Sequence, residues 1–488
     1  MSVSNSIRKG TQWLLVDSIG GQILRFGFGV ALARILVPED FGLLVTIQVF
    51  TGMVGLAASG GMGQALIRAK EADEKDFQVV FTIQLAIGIL IYSVFFMIAP
   101  WFPDWFNNPV YADLLRVSAL SFIFRPFVNI HISWLRRNMR FNESTIIRLI
   151  AATCGGIISI SMAISGFGVW SLIFGGLAGS IITVSLIART TPIHTRFCFD
   201  LKRARKHTGY GLKISANNVV TYLRNQSSNL IISRISGADM VGLFNKADSL
   251  GRMPFSTIGA SIYQPVFREM AKHQDNLDRS KYLFLKSVSL LFAYTAPLYI
   301  GLCWLAEPFI TVVYGEQWIA SAEPLQILAI ASLLLCLDNP CGAVIAAHNR
   351  LGSELIIQII SWVLVVIATF IGLNWGLIGV AWGMFITRFI STVFMYILAL
   401  QCIKVDHSDL LKAVTPGFIL NSILLVTLVI TFSSLPTDLI INNQAIYLLI
   451  MTVAGGTAYL AAFLFLPLQS LATESDRLKV LLRLNKKP

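Results

Sequence analysis

The stretch Arg34-Ile-Leu-Val-Pro-Glu-Asp-Phe-Gly-Leu43 returns about 200 residues later as Arg234-Ile-Ser-Gly-Ala-Asp-Met-Val-Gly-Leu243, and that return decides the fold. Arg68 recurs in the same register as Arg268. After a small insertion the register moves to about 210, which sets Asn129, Arg140 and the pair Ile146, Ile147 opposite Asn339, Arg350 and the pair Ile356, Ile357. A repeat this long is half a protein rather than a solenoid unit. In a membrane chain, two similar halves imply two pseudo-symmetric helix bundles with a shared site, the plan of many transporters.

The membrane setting follows from composition: 55% of the 488 residues are hydrophobic and only 13% charged, which no soluble domain of this size can accommodate. Apolar runs long enough to span number about fourteen, over 12–36, 41–66, 77–100, 111–135, 143–165, 168–189, 209–235, 239–267, 282–305, 321–346, 352–373, 376–401, 413–433 and 444–468. The seventh and eighth are the least hydrophobic and rest on their likeness to the first two. The expected fold is an all-α polytopic membrane protein of two pseudo-symmetric six-helix lobes plus two C-terminal helices. The lobes cover 1–190 and 209–402, joined by a basic linker at 191–208, with helices thirteen and fourteen in 403–470 and a basic tail at 471–488.

Placing both termini in the cytoplasm sorts the cations. Arg8, Lys9, the run from Arg68 to Lys75, Arg136, Arg137, Arg140 and the run from Arg189 to Lys213 all fall inside, as do Arg268 to Lys286, Arg350, Lys404, Lys412 and the tail. The opposite loops, near 37–40, 101–110, 236–240, 306–320 and 434–443, hold Asp and Glu but no Lys or Arg. That is the positive-inside distribution. The net charge of +12 is therefore topology plus affinity for an anionic inner leaflet, and gives no support to nucleic-acid binding. The first apolar run is interrupted by Asp17 and Arg25 and lacks a small-residue cleavage site, so it reads as a span rather than a removable signal.

The six cysteines lie in helices or on the cytoplasmic side without metal-ligand spacing, so neither a metal nor a cofactor is expected. No P-loop, dinucleotide turn, HExxH or Ser/His/Asp grouping appears, so no catalytic residues are assigned. A membrane polysaccharide polymerase or glycosyltransferase is the chief rival from another class, and usually carries a larger soluble loop.

The chemistry lies in charges at membrane depth, each costing a few kcal/mol unless it faces water or a partner. Arg34, Arg148 and Arg234 sit near helix ends and read as snorkelling to the headgroups. Arg25, Arg125, Arg224, Arg252 and Arg388 fall near mid-helix, with Arg116 a lesser candidate, while acids at such depth are fewer: Asp17, Asp248 and Asp338. Asp248 and Arg252 can neutralise each other at i, i+4. The remaining excess of cations calls for an anionic ligand. Helical spacing supports a lined cavity, because Asp17, Gln22 and Arg25 form one polar stripe in helix one and Asn217, Asn218, Arg224 and Asn225 repeat it in helix seven.

The segment from Ala33 to Gly42 after helix one and Leu135-Arg136-Arg137-Asn138-Met139-Arg140-Phe141 after helix four resemble polysaccharide flippases of the multidrug/oligosaccharidyl-lipid/polysaccharide exporter superfamily, of the Wzx and colanic-acid-exporter type. The resemblance runs over roughly residues 5 to 470. It implies an inner-membrane protein that carries undecaprenyl-pyrophosphate-linked oligosaccharide from the cytoplasmic to the periplasmic leaflet by alternating access, among membrane lipids. It also implies coupling to a proton or sodium gradient, with Asp17, Asp248 and Asp338 as candidate carriers. A polysaccharide polymerase or other assembly protein is the partner suggested by family analogy, and a monomer suffices because both lobes share one chain. Within the same superfamily, a peptidoglycan-precursor flippase and a drug or ion antiporter are the alternatives. The cationic excess argues against the antiporter.

Overall fold

The structure is a computed structural model that describes residues 3–59, 62–69, 72–193, 195–272 and 276–482. Within these, the side chains of 3–8, 11, 57–59, 68, 201–218, 260–261, 264, 469 and 481 lie outside the description. The described residues form helices and short 3-10 turns, with no strand. Ten segments among them are long and apolar enough to cross a membrane, and one of these, Leu351–Cys402, contains a pair of helices. The chain is therefore a multi-pass membrane protein. Other expected spans fall on helices whose polar and charged residues lower their hydropathy, so the whole is compatible with about fourteen crossings.

The chain divides into two compact units, Met1–Gly242 and Leu243–Pro488. The first contains α1 (Val3–Ile35), α2 (Pro38–Ser59), α3 (Met62–Arg68), α4 (Glu74–Ile98), α5 (Phe102–Phe106), α6 (Val110–Ala119), α7 (Ser121–Arg137), α8 (Phe141–Ile164) and α9 (Val169–Thr190). α10 (Leu201–Lys272) is two helical segments broken at Gly237, whose φ of 89° and ψ of 178° no helix contains. The first segment of α10 packs within the first unit: the Tyr222 hydroxyl donates to the Gln48 carbonyl at 2.7 Å, and Ser233 meets Thr46 at 2.6 Å. The second unit continues with α11 (Leu277–Trp304), α12 (Ala306–Val313), α13 (Ala322–Leu333), α14 (Leu335–Ala347), α15 (Leu351–Gly372), α16 (Gly376–Cys402), α17 (His407–Ser434), α18 (Thr437–Asn442), α19 (Gln444–Phe465) and α20 (Ala472–Leu481).

The repeat is written in the backbone as well as in the residues. α7 ends on a bond from the Arg140 N–H to the Leu135 carbonyl at 2.8 Å, and α14 ends on the matching bond from Arg350 to Ile345 at 3.0 Å. Each cap needs one left-handed residue, supplied by Met139 at φ 57° and by Asn349 at φ 58°. This six-to-one closure satisfies the last carbonyls of the helix. Left-handed residues other than glycine are uncommon, so their return at the 210 register is a strong signature of the repeat. Gly168 and Gly376, at φ 53° and 66°, begin α9 and α16 in the same manner.

Small residues set the closest packing. A Cβ on Gly155 of α8 would lie 2.8 Å from the Gly175 carbonyl oxygen of α9, and one on Gly379 of α16 would lie 2.2 Å from that of Gly372. Lipid offers no hydrophobic drive between helices, so close backbone approach of this kind is what holds such pairs together. The outward faces stay apolar, as along α15, where Ile356, Ile360, Val363, Ile367 and Phe370 are exposed.

The two quoted motifs have structural roles in the first unit. In the first, Pro38 starts α2 and the Asp40 carboxylate accepts from the Val37 N–H at 3.3 Å. In the second, Arg137 donates to the Leu66 and Ala69 carbonyls at 2.8 and 2.6 Å, closing the end of α3. Arg140 pairs with Glu143 at 2.6 Å and lies over the Trp134 ring.

Candidate substrate site

A cavity of about 590 Å³ opens inside the first unit, lined by α1, α7, α8 and α9 with Leu44 of α2. Arg25, Arg125 and Arg148 all line it, with Asn129, Ser159 and Thr183, and no carboxylate is among the lining residues. The glycine seam between α8 and α9 forms part of its wall, since Gly155, Gly175 and Gly179 present backbone rather than side chains there.

Each arginine is held differently. Arg148 of α8 pairs with Asp17 of α1. It therefore does not snorkel to a headgroup as its position near a helix end suggested. Its partner lies 131 residues away in sequence, beyond the reach of any local pattern. Arg25 lies eight residues further along α1 than Asp17 and donates to the side-chain amide oxygen Oε1 of Gln22 at 3.4 Å. Among the described residues, Arg125 has neither a carboxylate nor a carbonyl partner. Its guanidinium sits 4.7 Å from the centre of the Phe122 ring, a contact that holds a cation without neutralising it.

Room for Arg125 is made on α2. A Cβ at Gly55 would fall 2.0 Å from Nη1 of Arg125, and a Cβ at Gly52, one turn earlier, would fall 2.1 Å from the Tyr222 hydroxyl. Two glycines at i, i+3 thus cut a notch that seats the guanidinium and the phenol side by side. Asn129, one turn beyond Arg125 on α7, adds a neutral amide to the same wall.

The remaining sequence candidates are placed as follows. Arg224 and Asn225 are half-buried in the first segment of α10, and the side chains of Asn217 and Asn218 lie outside the described residues. Arg116 of α6 pairs with Asp113 at 3.3 Å and lies over the Phe96 ring. In the second unit, Nε of Arg252 donates to both oxygens of Asp248 at 2.8 and 2.9 Å. Arg388 of α16 donates to the Ser332 hydroxyl of α13 at 3.1 Å, and Asp338 is half-buried in α14. Of the sequence candidates, then, Arg25 and Arg125 share one cavity within the first unit, joined by Arg148 and Asn129. The signal for Asn129 was available in the repeat, where it matches Asn339.

A guanidinium fork with no anion of its own, beside a second one and several hydroxyls, is suited to a multiply charged oxyanion carrying polar groups. A phosphate ester or pyrophosphate is the chemistry that such a wall recognises.

Comparison with known proteins agrees with the fold. The lipid II flippase MurJ, in an inward closed conformation, superposes with a TM-score of 0.75 over 96% of this chain and 100% of that one, at 17% identity. Lipopolysaccharide biosynthesis protein WzxC of Escherichia coli (strain K12) is 24% identical over 408 residues, 82% of each chain. Succinoglycan biosynthesis transport protein ExoT of Rhizobium meliloti (strain 1021) is 25% identical over 352 residues, 72% of this chain and 70% of that protein. The family model described as polysaccharide biosynthesis protein matches residues 31–323. Matched over more than half of its length, this chain belongs to the polysaccharide biosynthesis protein family.

Proposed function

We propose that this chain is a flippase that moves polyprenyl-pyrophosphate-linked oligosaccharide repeat units from the cytoplasmic to the periplasmic leaflet of a bacterial inner membrane. The observation that carries the reading is the cavity of the first unit, where Arg25, Arg125 and Arg148 are gathered and, among the described residues, only Arg148 has a carboxylate partner. The pyrophosphate engages Arg125 and Arg25, with Arg224 and Arg388 as the further candidates. Hydroxyls and amides of the wall solvate the first sugars while the lipid tail stays in the bilayer. The names of the relatives, a biosynthesis protein for lipopolysaccharide and a transport protein for succinoglycan, fit the same task. The positive-inside charge distribution supports placing both termini in the cytoplasm.

In this reading the repeats at 1–190 and 209–402 work as the two lobes of an alternating-access carrier, and 403–470 is an accessory pair of helices. Deleting the protein is expected to leave complete lipid-linked repeat units confined to the cytoplasmic leaflet, measured by lipid extraction and an impermeant glycan label. Single units reaching the periplasm without polymer would favour a polymerase instead. Accumulation of peptidoglycan precursor rather than repeat units would move the substrate assignment.

A subtler variant tests the seat of Arg125. Gly55→Ala puts a methyl where Nη1 lies, and the side chain can swing away at little cost in stability because its end is flexible. Export of surface polysaccharide is expected to fall about tenfold, the loss of roughly one charge-assisted hydrogen bond. Wild-type export would mean that the seat of Arg125 has no role.

A further inference from the structure

A second polar pocket lies in the first unit, outside the arginine-lined cavity. It has a volume of about 310 Å³ and gathers residues at three of the loop regions without lysine: Glu39 at the start of α2, Asn107 after α5, and Arg234 with Gly237 before the second segment of α10. Phe106 and Tyr111 supply its aromatic wall.

The floor of the pocket is well packed. Tyr111 is 1% exposed, and its hydroxyl is engaged by Thr46 at 3.3 Å and Ser233 at 3.4 Å. The ring of Phe106 packs on that of Tyr111 at 5.2 Å and on Phe102 at 5.8 Å. Asn107 is held left-handed at φ 52°, and the next residue fixes the turn by accepting from the Val110 N–H at 3.0 Å. Against this packed floor, the side chains of Glu39, Asn107 and Arg234 form no hydrogen bond or ion pair with any described residue. Glu39 and Arg234 thus line one small pocket without closing on each other.

We infer that this pocket is an external saccharide subsite, holding one neutral pyranose ring of the repeat unit as the glycan emerges. A carboxylate, an amide and a guanidinium offer the donors and acceptors that sugar hydroxyls require, with acceptor and donor charges balanced so that no net charge is demanded of the ligand. The volume is at the small end for ligand pockets, enough for one ring and not for an oligosaccharide. Arg234 therefore does more than reach a headgroup. The inference rests on the flippase reading for its ligand, and its binding test is separate from any transport measurement.

The test uses the full-length protein in lipid nanodiscs and saturation-transfer NMR. The probes are methyl glycopyranosides of the sugars released by hydrolysis of the cell's own exported polysaccharide. At least one probe is expected to bind, and Asn107→Ala and Arg234→Ala are each expected to weaken it at least tenfold with unchanged size-exclusion profiles. Arg125→Ala, in the other cavity, is expected to leave it intact. Absence of transfer to every probe would overturn the inference, as would binding that survives both pocket variants. Loss on Arg125→Ala alone would place the sugar in the arginine-lined cavity instead. If deletion of the protein leaves lipid-linked glycan undisturbed while the pocket still binds sugar, the flippase reading fails and the subsite stands.

Discussion

Arg125→Ala is expected to abolish surface-polysaccharide export while leaving the amount and folding of the membrane-inserted protein unchanged. The asymmetry follows from what Arg125 touches: a ring face, a notch of glycine backbone and the cavity, with no carboxylate that its removal would strand. Removing one partner of a buried ion pair leaves an uncompensated charge and costs about 3–5 kcal/mol, whereas removing a cation held by an aromatic face costs only about 0.5–2 kcal/mol. If the guanidinium makes two charge-assisted bonds to a pyrophosphate, each worth about 1.5–3 kcal/mol, transport falls by roughly 100-fold or more. Arg125→Lys keeps the charge but loses the fork, so partial recovery is expected. The readouts are polysaccharide at the cell surface and protein in the membrane fraction. Full export by Arg125→Ala, by Arg224→Ala and by the double variant would remove the cationic site from the mechanism.

The largest effect on stability is expected at Gly42, where a Cβ would stand 1.7 Å from the Ala238 carbonyl oxygen. Its counterpart in the repeat, Gly242, faces the Pro38 carbonyl oxygen at 2.0 Å, so the contact is reciprocal within the first unit. Because both obstacles are backbone, neither can swing aside as the Arg125 side chain can. Gly42→Ala is expected to cost about 3 kcal/mol, the upper end for overpacking, seen as a marked fall in the unfolding temperature of the detergent-purified protein. Gly27 of α1 has nothing within 4 Å, so Gly27→Ala is the control and is expected to be neutral or to stabilise by about 0.5–1 kcal/mol. Equal behaviour of the two variants would contradict the packing account.

These contrasts show which parts of the molecule are legible in its residues. The membrane fold is, because apolar runs and loop charges are local properties, and the repeat is, because Gly42 and Gly242 or Arg140 and Arg350 recur in register. The pair Asp248 and Arg252 was legible for the same reason, being four residues apart on one helix. Asp17 and Arg148 were not, since only the packing of α1 along α8 brings them together. Arg116, a lesser candidate in the sequence, lies on the short helix α6 beside Asp113, and α7 begins anew at Ser121. The second pocket was least visible of all, because its lining comes from three regions far apart in sequence that only the folded chain brings together.

The central claim is movement of a lipid-linked glycan, and reconstitution tests it most directly. The purified protein would be placed in liposomes carrying a polyprenyl-pyrophosphate oligosaccharide in both leaflets, and an impermeant enzyme would modify the glycan from outside. The account predicts that modification runs past the outer-leaflet share to nearly all of the lipid with the native protein, and stops at about half with Arg125→Ala or with empty liposomes. Modification that stops at the outer-leaflet share with native protein, supplied with a proton or sodium gradient of either direction, would contradict it.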